Sequence, residues 1–261
     1  MRLSLGITPK SYFSLAAAND ADAQAFIDAA GITDATQKSA VNQLVLDLKN
    51  ANIWTKMKAI YPILGGSASS HKLNLKDSRD LDAAFRLTFT TGWTHSSTGM
   101  TPTNAYANTF IAGNTYSTNI HLSFYSGTQT VGGSFEMGCS DGTTTTLSNR
   151  PALNCGLGGL TVVNYTTTTD ARGFWIGSKR TNTDREVYRN GISENTVTTS
   201  ITNAFPSINI WIGGVNINNA LSFPSSKQAR FASIGDGLTD TEAANFYTAV
   251  QNYQTTLNRQ V

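Results

Sequence analysis

Ile208-Asn209-Ile210-Trp211-Ile212 is the stretch that decides the fold. Side chains alternate along it, so the three isoleucines point one way while Asn209 and Trp211 point the other. That period of two predicts a strand with one face against a core. The same alternation recurs in Phe85-Arg86-Leu87-Thr88-Phe89 and in Ile120-His121-Leu122-Ser123-Phe124. Shorter candidates lie at residues 73–75, 135–137, 160–165, 172–178, 186–189 and 230–234, between clusters of Gly, Asn, Asp and Thr. Asn190-Gly191, between Val187-Tyr188-Arg189 and Ile192, predicts a type I′ hairpin turn, because both residues tolerate positive φ. Many short strands with frequent turns, and no crossover helices among them, predict a mainly β chain folded as a two-sheet antiparallel sandwich.

The apolar period becomes helical on both flanks. Asn19 or Asp20 caps a short helix through Ala21, Ala25, Phe26 and Ala29, which Gly31 stops. Thr33 heads a second helix, with Val41, Leu44, Val45 and Leu48 at i, i+3, i+4 and i+7. A short turn over residues 54–57 precedes Tyr61-Pro62. At the other end Thr239 and Glu242 form a capping box, and Ala243, Phe246, Tyr247, Val250 and Leu257 mark one apolar face. The first helices are too small to bury their faces alone, so they pack on the following domain, a sister copy or a larger assembly. The expected division is a helical appendage over residues 1–60, for docking or oligomerisation, and a sandwich over residues 61–261.

Composition narrows the partners. Nineteen Lys and Arg against seventeen Asp and Glu leave +2 over 261 residues, without a basic run, which argues against nucleic acid. No stretch approaches the ~20 apolar residues of a membrane span, so no membrane insertion is expected. Pro9 and Lys10 interrupt what would be the apolar core of a signal peptide, and none is expected. Only 14% of residues are charged; Thr, Ser, Asn and Gly supply the polarity, as in extracellular β-sandwiches.

YPILGG (residues 61–66), SHKLNLKDSRDLDAAFRLTFTTGWTHSSTGMTP (70–102), GFWIGSKR (173–180), VYRNG (187–191) and FASIGDGLTDTEAANFYTAVQNYQTTLNR (231–259) resemble the concanavalin A-like lectin/glucanase sandwiches of bacteriophage structural proteins. The helical lead-in, AAGITDATQKSAVNQLVLDLKNANIWTKMKAIYP, is similar to the segment preceding that domain in phage and prophage tail and virion proteins. The resemblance implies a jelly roll and a virion location, with other virion proteins and further copies of the chain as partners. It also implies manufacture in the host cytoplasm and exposure outside the cell without a secretion signal. It does not imply a reaction, since the fold hosts lectins, hydrolases and adhesion modules.

Enzymes of that fold cleave glycans with carboxylates closely spaced along one strand, because acid and nucleophile must flank one glycosidic bond. The nearest patterns here are Asp80-Leu81-Asp82 and Asp184-Arg185-Glu186, with Glu136 alone on its strand, and none reproduces the E-x-D-x-(x)-E arrangement. No enzyme is expected. Asp77, Asp80 and Asp82 offer three hard oxygen donors within six positions, so calcium is the one cofactor the spacing admits, although turn formation explains them as well. The histidines, His71, His95 and His121, stand without a nucleophile elbow; His121 is expected to face solvent or the opposite layer, first as an ordinary surface residue, and His95 to lie in a loop. Cys139 and Cys155 leave open a disulfide stapling the loop between them, which a reducing cytosol opposes.

Carbohydrate binding rests on aromatic faces that stack on sugars and on polar side chains that bond their hydroxyls. Trp211 leads, since it points away from the isoleucines; Trp93, Trp175 and Tyr188 follow, with Arg180, Asn190 and Asn209 as polar company. The competing role for each aromatic is core. The functional expectation is non-catalytic attachment of a virion surface protein to a host bacterial glycan. The alternative is a purely structural head, tail or collar component, and a depolymerase ranks last.

Overall fold

The computed structural model describes residues 18–116, 118–151, 154–159 and 161–261; the N-terminal leader reading falls on residues 1–17, outside them. Helices α1 (Ala21–Ala29), α2 (Ala35–Asn50), α3 (Ala68–His71) and α4 (Asp240–Thr256) accompany two sheets. The first nine strands are β1 (Met57–Tyr61), β2 (Thr88–Phe89), β3 (Trp93–Ser96), β4 (Gly99–Pro102), β5 (Ala107–Ala112), β6 (Ile120–Ser126), β7 (Met137–Ser140), β8 (Thr146–Arg150) and β9 (Asn154–Leu157). The rest are β10 (Val162–Asn164), β11 (Gly173–Thr181), β12 (Asp184–Arg189), β13 (Ile192–Val197), β14 (Asn209–Ile212), β15 (Val215–Ile217), β16 (Ala220–Ser222) and β17 (Ala229–Gly235). One sheet runs β13-β12-β11-β6-β17-β4-β3, with β1 also on β17; the other runs β10-β9-β8-β7-β14-β5-β2, with β15 and β16 attached. All pairings are antiparallel except β15 on β7.

The two sheets stack over a core that includes Leu122, Phe124, Trp175, Met137, Leu147, Ile210 and Ile212. A second core covers the far face of the first sheet. There Tyr125, Phe174, Ile176, Tyr188 and Phe231 pack against Phe26 of α1, Val41, Leu44, Val45 and Leu48 of α2, and Phe246, Val250 and Tyr253 of α4. The first sheet is therefore roofed, and all seven residues of β6 are buried. The outer face of the second sheet is partly exposed along β5, where burial alternates, whereas β7 and the middle of β8 are buried on both faces. Of the three packing surfaces open to the N-terminal helices, the following domain is the one they use, and the 60/61 boundary falls inside β1, which pairs with β17.

Several local expectations change. Residues 85–89 shorten to β2, because Phe85 ends a short 3₁₀ turn in the left-handed region at φ 59°. Residues 73–75 form no strand; the Asn74 side chain takes the ladder's place, accepting from Ile60 N at 2.9 Å and donating to Ala84 O at 3.0 Å. Asp34, not Thr33, caps α2, its carboxylate accepting from Gln37 N at 2.8 Å. Asn190 and Gly191 adopt φ 50° and 75°, and Thr239 and Glu242 close the capping box of α4.

His121 is fully buried rather than at the surface, since its side of β6 faces the helical roof. Its Nδ1 donates to Asp236 O at 2.6 Å, which leaves Nε2 to accept from Ser233 Oγ at 2.9 Å. Burial pulls its pKa down to about 4, and burial with the His95 ring beside it pulls His71 to about 3. A histidine whose native pKa is depressed takes up its proton first in the unfolded chain, so stability falls as pH drops from ~6.5 toward those values. Urea midpoints are expected to correspond to about 3 kcal/mol less stability at pH 5 than at pH 7. Equal midpoints would contradict the neutral buried imidazoles.

Candidate functional site

The expected sugar contacts do not converge. Trp175 is a core residue, fully buried, its Nε1 donating to Ala171 O at 2.9 Å and its ring covered by Arg189 at 4.8 Å. Tyr188 lies under the roof, also fully buried. Arg180 holds structure: it bonds Asp184 at 2.6 and 2.7 Å, Glu186 at 2.8 Å, the Tyr188 hydroxyl at 2.8 Å and Leu238 O at 2.8 Å. With Tyr188 also 2.9 Å from Asp240, this clamp ties the β11–β12 hairpin to the start of α4. Asn190 is committed to its hairpin, accepting from Phe174 N at 2.9 Å. Trp175 and Tyr188 are therefore core residues rather than sugar contacts, because both faces of the first sheet are covered, while the part-exposed Arg180 and Asn190 are engaged in structural hydrogen bonds.

Trp93 and His95 share one face of β3, the edge strand of the roofed sheet, while Phe89 sits on β2 at the edge of the other. Phe89 meets Trp93 at 5.4 Å and His95 at 4.8 Å between ring centroids, closing the open side of the sandwich. Behind them His71 Nδ1 lies 2.9 Å from His95 Nδ1. His95 is thus a strand residue, and this cluster seals an edge.

Trp211 and Asn209 do face outward on the second sheet. Trp211 is nonetheless only 5% exposed, because Tyr106 stacks on it with centroids 3.6 Å apart and planes 5° from parallel. Tyr106, half-buried, carries the outer surface of that stack. Across the sheet Trp211 opposes Gly138, which opposes Ser148, which opposes Gly156, a row of small residues that is itself buried. Arg150, two residues beyond Ser148 on the same face, lies over the Phe135 ring at 4.8 Å, and Phe135 meets Phe223 at 5.4 Å. Sheet spacings put the Trp211 and Arg150 Cα atoms roughly 12 Å apart.

Phe223 is the aromatic that sequence reasoning missed. It is 54% exposed and held at φ 51°, a region bulky residues avoid and one especially unfavourable before a proline, here Pro224. Its carbonyl accepts from Phe135 N at 3.1 Å, and Ser225 N donates to Gly213 O at 2.8 Å, so the loop is pinned on both sides. Strain retained around an exposed aromatic marks a functional candidate. A lone Phe set in Leu-Ser-Phe-Pro-Ser-Ser was the available signal. Near the end of the same sheet a polar cleft of about 480 Å³ is lined by Asn114, Asp141, Thr144, Thr145, Asn203 and Ser207, among others.

The carboxylates meet cations rather than one another. Asp77 pairs with Arg79, Asp80 with Lys72 and Arg86, and Asp82 with Arg86. The Arg79 guanidinium holds Asp77 below its usual range, and Lys72 and Arg86 do the same for Asp80. This donor set does not fit calcium, and no cluster of three or more His, Cys, Asp or Glu suited to a metal occurs among the described residues. Glu136 is buried against Lys227 at 2.7 Å. Cys139 and Cys155 are free and buried. Strand β8 runs between them, and two strand spacings with a two-residue offset put their Cα atoms about 12 Å apart, beyond the ~7 Å a disulfide spans. Cys155 instead donates to Ser148 O at 2.7 Å, and burial pushes the Cys139 thiol up to about 12.

No family model matches the chain, and no curated protein matches it by sequence. Solved structures share its architecture. The binding domain of botulinum neurotoxin DC, in complex with SialylT, is 8% identical with a TM-score of 0.50 over 76% of this chain and 52% of that one. A mutant of Trypanosoma rangeli sialidase displaying trans-sialidase activity is 8% identical with a TM-score of 0.50, covering 83% of this chain and 39% of that one. Domain 4 of AbnA, a GH43 extracellular arabinanase from Geobacillus stearothermophilus, in complex with arabinotriose, is 11% identical with a TM-score of 0.49, over 73% and 98%. The chain therefore spans about two fifths of the sialidase and half of the toxin domain. At these identities the likeness establishes the fold: a jelly-roll-like sandwich of two antiparallel sheets.

Proposed function

We propose that this protein binds a glycan without catalysis, through the exposed rim of the second sheet. The observation that carries this reading is the exposed, backbone-strained Phe223 with Phe135 and Arg150, on the same side as the Tyr106–Trp211 stack, among Asn, Ser and Thr side chains. Apolar faces for pyranose rings beside hydroxyl, amide and guanidinium groups are what sugar recognition needs. The sandwich architecture shared with glycan-handling proteins agrees with it. The pairing of Asp77, Asp80, Asp82, Asp184 and Glu186 with cations supports the non-catalytic part.

The finer reading, drawn from the sequence resemblance, is attachment of a virion to a bacterial surface glycan, with many copies offsetting weak single sites. Its test is retention of the full-length protein on host cells and on a glycan array. Phe223→Ala is expected to cut retention about fivefold with an unchanged Tm, since an exposed stacking ring contributes about 1 kcal/mol. Trp211→Ala is expected to cut it further while also lowering Tm, because Tyr106 loses its support. Retention that survives Phe223→Ala removes this surface from the account. Association only with other virion proteins favours a structural component, and new reducing ends from host polysaccharide would show an enzyme.

A further inference from the structure

Three buried cationic side chains among the described residues lack a carboxylate partner: Lys179, Arg185 and Arg259. Each Arg259 guanidinium nitrogen has an acceptor. They reach Ile63 O at 2.7 Å, Pro62 O at 3.4 Å, Arg230 O at 3.3 Å and Gln254 Oε1 at 3.0 Å. The other two side chains keep donors without one. Arg185 reaches Thr161 O at 2.9 Å and Thr199 O at 3.3 Å, and its Nε has no partner. Lys179 Nζ has one carbonyl, Ile201 O at 3.3 Å, and the Phe205 ring at 5.0 Å.

Lys179 and Arg185 are directly opposed across β11 and β12, so they share a face. It is the inner one: two residues earlier, a Cβ on Gly177 would strike Cys155 Sγ at 2.0 Å. Both side chains thus fill one end of the gap between the sheets. Over them lies residues 198–206, which form no regular secondary structure and are held by Ile201 N donating to Asn182 O at 2.9 Å. Two like charges withdrawn from water, with donors left over, cost several kcal/mol that three carbonyls and the Phe205 ring offset only in part. An anion would offset it and take the spare N–H groups.

We infer that Lys179 and Arg185 form an oxyanion site at this end of the sandwich, entered by displacing the 198–206 segment and taking a carboxylate, sulfate or phosphate group. Its donors are the free protons of Lys179 Nζ and the Arg185 Nε–H. Inorganic anions suffice to test it, so its outcome is independent of the glycan reading.

The test is thermal unfolding of the full-length protein in millimolar sodium sulfate or phosphate against sodium chloride of equal ionic strength. A saturating rise in Tm of ~4 °C is expected with the oxyanions. Lys179→Met and Arg185→Met should abolish that rise, whereas a general salting effect would be linear in concentration and persist in both. Glucuronate against glucose separates the sources. Saturation by glucuronate below the sulfate concentration assigns a glycan-borne carboxylate, and saturation by sulfate or phosphate alone assigns a free oxyanion. Equal Tm in all the salts, or an undiminished rise in the variants, overturns the site. Should the variants fail to fold, the parent's salt comparison decides alone.

Discussion

A fragment of residues 67–261 is expected to be insoluble or to bind hydrophobic dyes without a cooperative thermal transition, whereas the full chain unfolds in one. The fragment would lack β1, whose residues Ala59, Ile60 and Tyr61 pair with β17, and both α1 and α2. Its loss strips Phe26, Val41, Leu44, Val45 and Leu48 from Tyr125, Phe174, Ile176 and Phe231, leaving α4 as the only long helix on that face. Soluble monomers rarely expose so large a contiguous apolar patch. The buried Arg259 would also lose the Pro62 and Ile63 carbonyls that hold its guanidinium. A well-folded, monomeric fragment with a sharp transition would show that the roof is dispensable and that the N-terminal helices are a true appendage. Binding experiments therefore require the full chain.

The same roof explains which parts of the fold were legible. Alternation located β5's partner strand β14 and the core of β6, because side-chain period depends only on the neighbouring residues. It could not tell whether the second face of β6 met water or helices, since that depends on where Phe246 and Val45 return from opposite ends of the chain. Hence His121 read as a surface residue and Tyr188 as a sugar contact. The hairpin at Asn190-Gly191 and the Thr239–Glu242 capping box were legible because each is a local device with its own residue signature. Phe85 and Phe223 were not, because their left-handed backbones break the pattern that alternation assumes.

For the candidate site, Trp211 and Asn209 were placed on the correct face, yet the exposed rings belong to Tyr106 and Phe223. Neither lies in a regular apolar period, and a stacking pair such as Tyr106–Trp211 joins residues over a hundred positions apart. Composition signalled a polar, neutral surface, while the pairing of Asp80 with Lys72 and Arg86 needed the turn geometry.

Lys227→Met is expected to cost about 3–5 kcal/mol at neutral pH, the usual effect of stranding one partner of a buried ion pair. Glu136 is fully buried and Lys227 only 3% exposed; Nζ stands 2.7 Å from Glu136 Oε1, which Ser134 and Ser225 also approach at 3.1 and 3.2 Å. The Glu136 backbone accepts from Gly213 N and donates to Asn149 O, so the pair sits where β7, β8 and β14 meet. Burial already pushes the Glu136 carboxyl above its usual pKa, with Lys227 opposing that rise. Without the ammonium the native carboxyl rises further and binds a proton that the unfolded chain releases. The variant therefore loses stability as pH climbs from ~4.3 through the raised native value, opposite in sign to the histidine effect. Urea unfolding at pH 5 and pH 7 should show the gap between parent and Lys227→Met narrowing at the lower pH. The double variant Glu136→Gln/Lys227→Met should recover most of the loss, because removing both charges removes the desolvation cost with the attraction. A gap below about 1 kcal/mol at pH 7, or one indifferent to pH, would mean that water reaches Glu136 Oε2 and that the junction of the three strands is wetter than its geometry.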